Sequence, residues 1–508
     1  MASSPFNLIL CALIAATSAC CVASASDFSL ADVEKIAERM AKEPHTPPTK
    51  VGGPFLDLNY DTYRLIAQRH ENALWRDLGL ETWVEFFPAG FLFEYPVKVH
   101  VVEGDQVTEV EYGDRWFQFR GEAERLADAP GGGFAGLRLM SQLPGNEHKT
   151  EYLAFLGASY FRGIGSGQWY GSSARGLAVD IGLGKPEEFP RFLEFWIERP
   201  DTSKSDCPQR MWALLESPGV VGAYEFCIRP GEETKVGVTA RIWQRHGIQK
   251  LALAPLTSMF MWNPATKPAN DPRPSVHDAD GLLIHRDDDE WVWRDLKRPV
   301  KPQVEAWQVQ QLHGFGLMQR DRDPDNYQDN EAHYHLRPSV WVETGARDAW
   351  GPGTVELLEL PAEHEGVDNI GAYYVIDQTK VDLSQSIEIN YELSFGTSLP
   401  WGHQVAPVID SQIRQANGTV SVEFQIPENL SGDDIVLSPV AKCSHGRITS
   451  IDYTPSGKST VEVSIRYQAD EAREARIEVW LEKQQKKVSE VFSHRWSPAV
   501  ENLRLVNQ

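Results

Sequence analysis

Cysteine is scarce in this chain of 508 residues. Only six cysteines occur: three lie in an apolar run near the N-terminus, and the others are Cys207, Cys227 and Cys443. Their spacing excludes a zinc knuckle, whose ligands lie a few residues apart. In an oxidising compartment Cys207 and Cys227 could form a disulfide, or both could be ordinary buried thiols. The sequence leaves both alternatives open.

Positive charge is also in short supply. The chain has 49 Lys and Arg against 72 Asp and Glu, which gives a formal net charge of -23. A surface this acidic repels phosphate backbones and anionic membranes, so nucleic acid is not expected as a partner, and a neutral or cationic substrate is favoured. No G-x-S-x-G motif occurs, and "SGKS" at 456–459 lacks the upstream glycine of a phosphate-binding loop. We expect no cofactor.

Long apolar runs are confined to the N-terminus. "NLILCALIAATSACCVASA" ends in Ala23-Ser24-Ala25, which predicts a Sec-type secretory signal cleaved before Ser26. No Lys or Arg precedes the run, and no twin-arginine pair is present. Because no later stretch has about 18 unbroken apolar residues, we expect the mature chain to be soluble and not membrane-spanning.

Alternation of polar and apolar residues dominates the rest of the chain and predicts a mainly β fold. The mature chain starts with two exceptions. "SLADVEKIAERMAK" predicts a helix with one apolar face formed by Leu30, Val33, Ile36, Ala37 and Met40, and "DTYRLIAQRHENAL" predicts a second, shorter helix. From "FLFEYPVKVH" onward the pattern is that of half-buried strands separated by turn signals about every ten residues. We predict a large antiparallel β-sandwich.

The composition shifts near residue 395, where "SFGTSLPWGHQVAPV" indicates a joint. About 100 residues with four alternating runs follow, which is typical of an immunoglobulin-like sandwich, although the Cys…Trp…Cys signature is missing. The predicted organisation is a signal peptide at 1–25, a large β-sandwich at 26–395 and an immunoglobulin-like domain at 400–508.

Carboxylates, histidines and aromatic residues are concentrated in the third quarter of the chain. "NDPRPSVHDADGLLIH" contains His277, Asp278 and Asp280, and "PAEHEGVDNIGAYY" sets Glu365 and Asp368 in a loop between two strand-like runs. Carboxylates supply acid and base, and aromatic faces stack on sugar rings, so this density predicts an enzyme that acts on neutral sugars. The alternative is that Glu365 and Asp368 are ordinary loop carboxylates that face water and have no catalytic role.

The run "HDADG" also resembles the start of a calcium-binding loop. Leu282 occupies the position where a third oxygen ligand is needed, and the flanks are not helical. One alternative to a calcium loop is another kind of metal site that uses His277 and His285. The other is an Asx-turn that caps a hairpin. We predict no metal.

Several long stretches resemble the periplasmic glucans biosynthesis proteins G and D of Gram-negative bacteria. They include "NYDTYRLIAQRHENALW", "FLGASYFRGIGSGQWYGSSARGLAVD", "GAYEFCIRPG", "GFGLMQRDRD" and "VDNIGAYY". The resemblance covers nearly the whole mature chain. It implies a galactose-mutarotase-like sandwich joined to an immunoglobulin-like domain, a periplasmic location and a role in making osmoregulated periplasmic glucans. It also implies β-1,2-glucan as the ligand and the inner-membrane glucan synthase as a candidate partner.

The same family is implied to contain anomer-inverting β-1,2-glucanases, which gives roles to particular residues. Asp368 of the "DNI" motif is the implied general acid. Asp280 of "HDxDG" is the implied base, acting through a relay that includes a substrate hydroxyl. Glu365, Tyr334 and Asp278 are expected to support them. The expected substrate-binding residues are Trp169, Tyr170, Trp262, Trp350, His277 and Arg337, and core packing is the alternative for each tryptophan and for Tyr170.

The sequence therefore predicts an inverting glycoside hydrolase that cuts or trims β-1,2-glucan. The first alternative is a non-catalytic glucan-binding or scaffold protein that works with the synthase. The second is a branching transferase, which would retain configuration and place its carboxyls about 5 Å apart. The third is a metal-dependent lyase, which a chelator would inactivate.

Overall fold

The computed structural model describes residues 27–498, apart from residues 202, 204–205, 246, 346–349, 380–384, 415–417, 432–434 and 471. The predicted signal peptide at 1–25 and its cleavage site lie outside the described residues. The described part is mainly β, with sheets packed face to face as sandwiches, which confirms the predicted fold class. No helix in it is both long and apolar enough to cross a membrane.

The strands of the first 400 residues carry most of the structure. They are β1 Ile66–Gln68, β2 Trp83–Pro88, β3 Lys98–Glu103, β4 Gln106–Glu109, β5 Phe117–Phe119, β6 Phe134–Ser141, β7 Thr150–Leu156, β8 Tyr160–Gly163, β9 Ser173–Arg175, β10 Leu177–Val179, β11 Arg191–Glu198, β12 Gln209–Glu216, β13 Val220–Arg229, β14 Thr234–Gln244, β15 Leu251–Ser258, β16 Phe260–Trp262, β17 Val276–His277, β18 Gly281–Arg286, β19 Glu290–Asp295, β20 Gln303–Val309, β21 Leu312–Met318, β22 Ser339–Thr344, β23 Gly353–Glu359, β24 Ile370–Ile376 and β25 Ile387–Gly396.

The C-terminal strands follow a short connection. They are β26 Val408–Arg414, β27 Thr419–Gln425, β28 Ser438–Cys443, β29 Gly446–Pro455, β30 Thr460–Ala469, β31 Ala475–Lys483, β32 Lys486–Lys487 and β33 Val491–Trp496. Short 3-10 helices connect several strands, at Gly53–Phe55, His70–Asn72, Arg76–Leu78, Gly121–Leu126, Pro324–Asn326, Tyr334–Leu336 and Glu428–Leu430.

The helix predicted at the start of the mature chain is present as α1, Leu30–Ala41. Ser29 is its N-cap and forms the expected capping box with Asp32, whose carboxylate accepts the Ser29 backbone N–H at 3.0 Å. Val33 and Ala37 are fully buried in a small apolar cluster formed with β12 and β13. This packing fixes α1 on the outer face of the large sheet.

The prediction of a second helix is largely wrong. Only Tyr60–Tyr63, here α2, is helical, and Ile66–Gln68 form β1. The residues of β1 pair antiparallel with β5, about 50 residues further along the chain. Tertiary pairing therefore overrides a local helical pattern, as it does readily for short segments.

Two large sheets form the main sandwich. One has the order β2-β6-β7-β8-β9-β15-β24-β23-β20, with β10 attached to β15, and the other has the order β28-β31-β33-β19-β18-β21-β22-β25-β14-β13-β12-β11-β3-β4, with β32 attached to β31. Phe155 on the first sheet packs edge-on against Phe226 on the second, with ring centroids 5.1 Å apart. The pairing is antiparallel as predicted, except that β3/β11 and β19/β33 are parallel.

Sequence alternation explains how these strands face the core. Along β14 the residues Val236, Val238, Ala240 and Ile242 are buried while their neighbours are half-exposed. Since side chains alternate between the two faces of a strand, all four point into the main sandwich. The same rule predicts the interior of most long strands here.

The C-terminal strands continue the large sheet rather than standing apart from it. Strand β33 pairs with β19, and β26-β27-β30-β29 form a separate four-stranded sheet over β28, β31 and β33. Their common core includes Trp291 and Trp293 from β19. The domain boundary at 395–400 stays a prediction. This segment contains Gly396, the last residue of β25.

The question left open for the cysteines has an answer in the structure. Cys207 and Cys227 form a disulfide with a Cα–Cα distance of 5.3 Å, whereas Cys443 is a free, half-buried thiol. The disulfide ties the loop before β12 to β13.

Candidate functional site

The segment 277–280 connects β17 to β18 and is fixed by its backbone. The N–H of Asp278 donates to the carbonyl of Met259 at 2.8 Å, and the N–H of Asp280 donates to the carbonyl of Met318 at 2.7 Å. Both carboxylates are therefore supplied by a rigid connection, not by an Asx-turn in solvent. This is the arrangement expected of a site built on a scaffold.

Asp278 is buried and makes an ion pair with Arg337. Burial raises the pKa of Asp278 to about 6, the Arg337 charge opposes that increase, and the nearby charge of Asp368 adds to it. Asp278 and Asp368 are thus close enough to interact electrostatically. Arg337 also lies over the ring of Tyr334, 4.4 Å from its centroid.

Asp280 is held by different contacts. Its Oδ2 accepts the backbone N–H groups of Arg320 and Asp321, the latter at 3.0 Å. Its Oδ1 lies 3.5 Å from Nε2 of His277. The Asp280 side chain is 22% exposed, so it can still exchange protons with solvent or substrate. The two N–H donors on Oδ2 fix the orientation of the carboxylate and leave Oδ1 without a backbone donor.

A cleft of about 440 Å³ opens beside Asp280, between the large sandwich and the C-terminal strands. We call it the junction cleft. Its walls come from both regions and mix apolar residues with polar ones, which include His277, Asp280, Asp295, Arg320, Asp321, Asp410 and Ser411. Oδ1 of Asp295 accepts the Trp293 indole N–H at 2.7 Å, and its Oδ2 accepts the Ser411 hydroxyl.

Arg320 ties the base segment to the C-terminal strands. Its guanidinium forms two hydrogen bonds with the buried carboxylate of Glu490, at 2.9 and 2.5 Å, and lies 3.6 Å from the centroid of the Trp293 ring. His403 and the N–H of Val408 also contact Glu490, at 2.7 and 2.8 Å. Burial opposes ionisation, but the charge of Arg320 and the hydrogen bond from His403 lower the pKa of Glu490 to about 2.

Asp368 lies in the 360–369 loop between β23 and β24, as predicted, and its side chain is exposed. The next residue, Asn369, is buried. Its amide accepts the N–H of Phe260 at 2.8 Å and donates to the carbonyls of Phe260 and Leu360 at 3.0 and 3.1 Å. Asn369 therefore anchors the end of the loop that presents Asp368.

Glu365 lies in the same loop and pairs with Arg273 at 2.7 Å. Arg273 also contacts Asp271 and Asp329, each at 3.0 Å. Tyr334 is buried, and burial, followed by the charge of Glu365, raises its pKa. Glu365 and Tyr334 thus lie near each other on the same side of the site.

The predicted aromatic platforms differ in exposure. Trp169 is 51% exposed, and its ring centroid lies 4.4 Å from that of His333. Its backbone N–H donates to the carbonyl of Leu336 at 3.2 Å. Trp262 is buried beneath Arg273. Tyr170 is half-buried against the main core, and Trp350 lies inside that core. Of these four rings, that of Trp169 is the one available for stacking.

His277 is buried and reaches Asp280 rather than open solvent. Its ring stacks on Phe260 with centroids 5.4 Å apart, and its Nδ1 lies 3.0 Å from Oε1 of Gln319. No group of three or more His, Cys, Asp or Glu residues in the described part of the chain has an arrangement suited to a metal ion.

Sequence reasoning missed the residues that hold the carboxylates in place. These residues are Asn369, Gln319, Arg320, Glu490 and Arg273. Asn369 is the middle residue of the "DNI" motif, and Gln319 and Arg320 fall in the shared stretch "GFGLMQRDRD", so a signal existed for these three. Nothing in the spacing links Arg320 to Glu490, because 170 residues separate them.

Comparison with known proteins shows which family the chain is similar to. The family model described as "Periplasmic glucan biosynthesis protein, MdoG" matches residues 28–496. A curated relative, glucans biosynthesis protein G of Sodalis glossinidius (strain morsitans), is 43% identical over 372 residues, which cover 72% of this chain and 70% of that protein. The matched region includes all the site residues described above.

Proposed function

The chain belongs to the MdoG family of periplasmic glucan biosynthesis proteins, and we propose that it hydrolyses the β-1,2-linked glucan backbone with inversion at the anomeric carbon. One observation carries this proposal: Asp278 and Asp368, which come from two separate connections, are close enough to interact electrostatically, and Asp280 follows Asp278 by two residues. Inverting hydrolysis needs one carboxylic acid and one carboxylate base on opposite sides of the scissile bond.

Asp368 is the proposed general acid. Its exposed carboxyl can approach a glycosidic oxygen, and the buried Asp278 nearby keeps negative charge close to it. Neighbouring carboxyls resist double ionisation, and Asp278 is the member of this pair whose pKa is raised. Asp278 has the second task of holding Arg337, the predicted substrate-binding residue.

Asp280 is the proposed base. Its Oδ2 is bound by two backbone N–H groups, so its orientation is fixed while Oδ1 remains able to take a proton. The attacking water would pass its proton through a relay that includes a substrate hydroxyl. Tyr334 and Glu365 would line this relay, and Trp169 would stack on a glucose ring.

The decisive experiment is incubation of the purified protein with linear β-1,2-glucan, with products followed by chromatography and their anomeric form by NMR. We expect short oligosaccharides of inverted configuration. Asp368→Asn should lower the rate by about 10²–10⁴-fold, with glucan binding retained. Glu363→Gln, which changes another exposed carboxylate of the same loop, is the matched control and should keep the wild-type rate.

Other outcomes would redirect the proposal. Saturable binding without products would favour the alternative, a glucan-binding partner of the synthase. Products of retained configuration would favour a transferase. Unchanged turnover in Asp368→Asn would remove Asp368 from the acid role.

A further inference from the structure

We propose that His277 is the proton-accepting partner of Asp280: the buried Gln319 fixes the imidazole so that Nε2, free of hydrogen, faces Oδ1 of the base. The inference rests on the hydrolytic function proposed above. His277 acts through Asp280, so in this proposal it is a positioning residue, whereas the sequence predicted a substrate-binding role for it.

The tautomer of His277 follows from the contacts of Gln319. The Gln319 Nε2 lies 3.0 Å from the carbonyl of Tyr334 and 3.3 Å from the carbonyl of His277 itself. Carbonyl oxygens only accept hydrogen bonds, so this atom of Gln319 must be the NH₂ group. It also lies 2.9 Å from the hydroxyl of Tyr327, whose own proton is directed to the carbonyl of Asp321 at 3.1 Å.

The other end of the amide is then an oxygen, which accepts and cannot donate. It lies 3.0 Å from Nδ1 of His277, so Nδ1 must carry a hydrogen. In the neutral imidazole Nε2 is therefore a bare acceptor. Gln319 is itself held by its backbone, because its N–H donates to the Ser339 hydroxyl at 3.0 Å.

Nε2 and the Asp280 carboxylate consequently present two acceptors to each other across 3.5 Å in a buried site. Such a pair favours the uptake of one proton, which changes repulsion between lone pairs into a charge-assisted hydrogen bond.

Groups from several elements surround the His277–Asp280 pair. Oδ2 of Asp280 accepts the N–H groups of Arg320 and Asp321, and the guanidinium of Arg320 is occupied by Glu490. Three further groups interact electrostatically with Asp280: Arg322, Tyr327 and Asp295. Phe260 and the edge of Tyr327 enclose the imidazole, which leaves Nε2 directed at Asp280.

In the proposed hydrolysis step, each bond that breaks is matched by one that forms. A water O–H bond breaks as its oxygen forms the new bond to the anomeric carbon, while the glycosidic C–O bond breaks and Asp368 donates its proton to the leaving oxygen. The water proton reaches Oδ1 of Asp280 through the relay and passes to Nε2 of His277, giving an imidazolium beside a carboxylate. Both residues line the junction cleft, through which the proton can return to solvent.

A pH–rate profile separates this role from a structural one. His277→Asn keeps an amide near the position of Nδ1, able to donate to Gln319, and removes Nε2. We expect kcat to fall by up to about 10²-fold and the acid limb of the kcat/KM profile to move to lower pH, because the variant lacks the nitrogen that shares the proton of the pair. An unmoved acid limb would overturn the proposal.

The chain offers a matched control at His285. Its Nε2 lies 2.6 Å from Asp289, so it forms a second His–Asp pair, outside the proposed site. His285→Asn should leave the acid limb where it is in the wild type. If the limb moved equally in both variants, the effect would not be specific to His277, and the proposal would fail.

A second measurement does not depend on activity. Histidine-selective ¹⁵N NMR of the wild-type protein, with the His277 signals identified by their loss in His277→Asn or His277→Gln, reports which ring nitrogen carries the hydrogen. We expect the Nδ1–H form at alkaline pH; the Nε2–H form would overturn the proposal. If the wild type released no product from glucan, the proposed function would fail, while the spectrum would still decide the tautomer.

Discussion

Asp368 and Asp280, the carboxylates proposed for acid and base chemistry, are held in opposite ways. Asp368 is exposed, and no donor in the described part of the chain binds its carboxylate; the buried amide of Asn369 fixes its place instead. Asp280 is fixed through its own carboxylate, by two backbone N–H groups. The acid can therefore contact a sugar oxygen without breaking protein contacts, whereas the base is already in position before substrate binds.

The two sides also differ in which part of the chain supports them. The side-chain hydrogen bonds of Asn369 in the described residues go to Phe260 and Leu360, which both lie in the first 400 residues of the chain. The support behind Asp280 reaches through Arg320 to Glu490, which comes from the C-terminal strands. The base side should therefore depend on the junction between the two regions, and the acid side should not.

The largest expected effect comes from breaking the junction at Glu490. Glu490→Ala leaves the charge of Arg320 without its partner in a buried place, so we expect the free energy of unfolding to fall by about 3–5 kcal/mol, measured by urea denaturation. Because the folded-state pKa of Glu490 is lowered to about 2, its contribution is full above the unfolded value of about 4.5 and is lost as pH falls towards 2.

Lys487→Gln is the control for that prediction. Lys487 also crosses the junction, pairing with Glu290, but it is 39% exposed, and Glu290 keeps a second partner in Arg286. Its loss should cost about 1 kcal/mol or less. Equal losses of unfolding free energy in the two variants would mean that Glu490 stabilises the junction no more than the partly exposed Lys487 does.

Asn369→Ala tests the acid side and should have the next largest effect. It removes three hydrogen bonds to the buried backbone of Phe260 and Leu360, so we expect a loss of about 2–4 kcal/mol in the free energy of unfolding. Asp368→Ala, one residue away, should leave that free energy nearly unchanged because the side chain is exposed. Similar losses in both would contradict the division between anchor and acid.

Much of this site could be predicted from sequence, and what could not has a physical reason. The motifs around Asp278, Asp280 and Asp368 identified the carboxylates, because short motifs record residue types that chemistry needs. The same pattern reasoning assigned a helix to residues 61–74, where pairing of β1 with β5 decides the structure. Local patterns carry no information about partners that lie far apart in the chain.

The supporting residues illustrate this limit. Gln319 and Asn369 are buried amides, and a polar residue in a strand-rich sequence ordinarily indicates an exposed position. Their role becomes visible only when the carbonyls around them are located. The continuation of the large sheet into β33 is likewise invisible, because a parallel pairing across about 200 residues leaves no trace in alternation.

Asp278, which lies between the two sides, gives the smallest of these effects and the one with a pH signature. Its folded-state pKa is raised to about 6, mainly by burial, from an ordinary value of 3.8. The folded state then binds the proton more tightly than the unfolded state, so stability rises as pH falls through about 6 and is lower above it. From pH 8 to pH 5 the gain should be about 1–2 kcal/mol. Asp278→Asn cannot take up this proton, so its deficit relative to the wild type should be larger at pH 5 than at pH 8 in urea denaturation. A deficit that is the same at both pH values would mean that Arg337 keeps Asp278 ionised over this pH range.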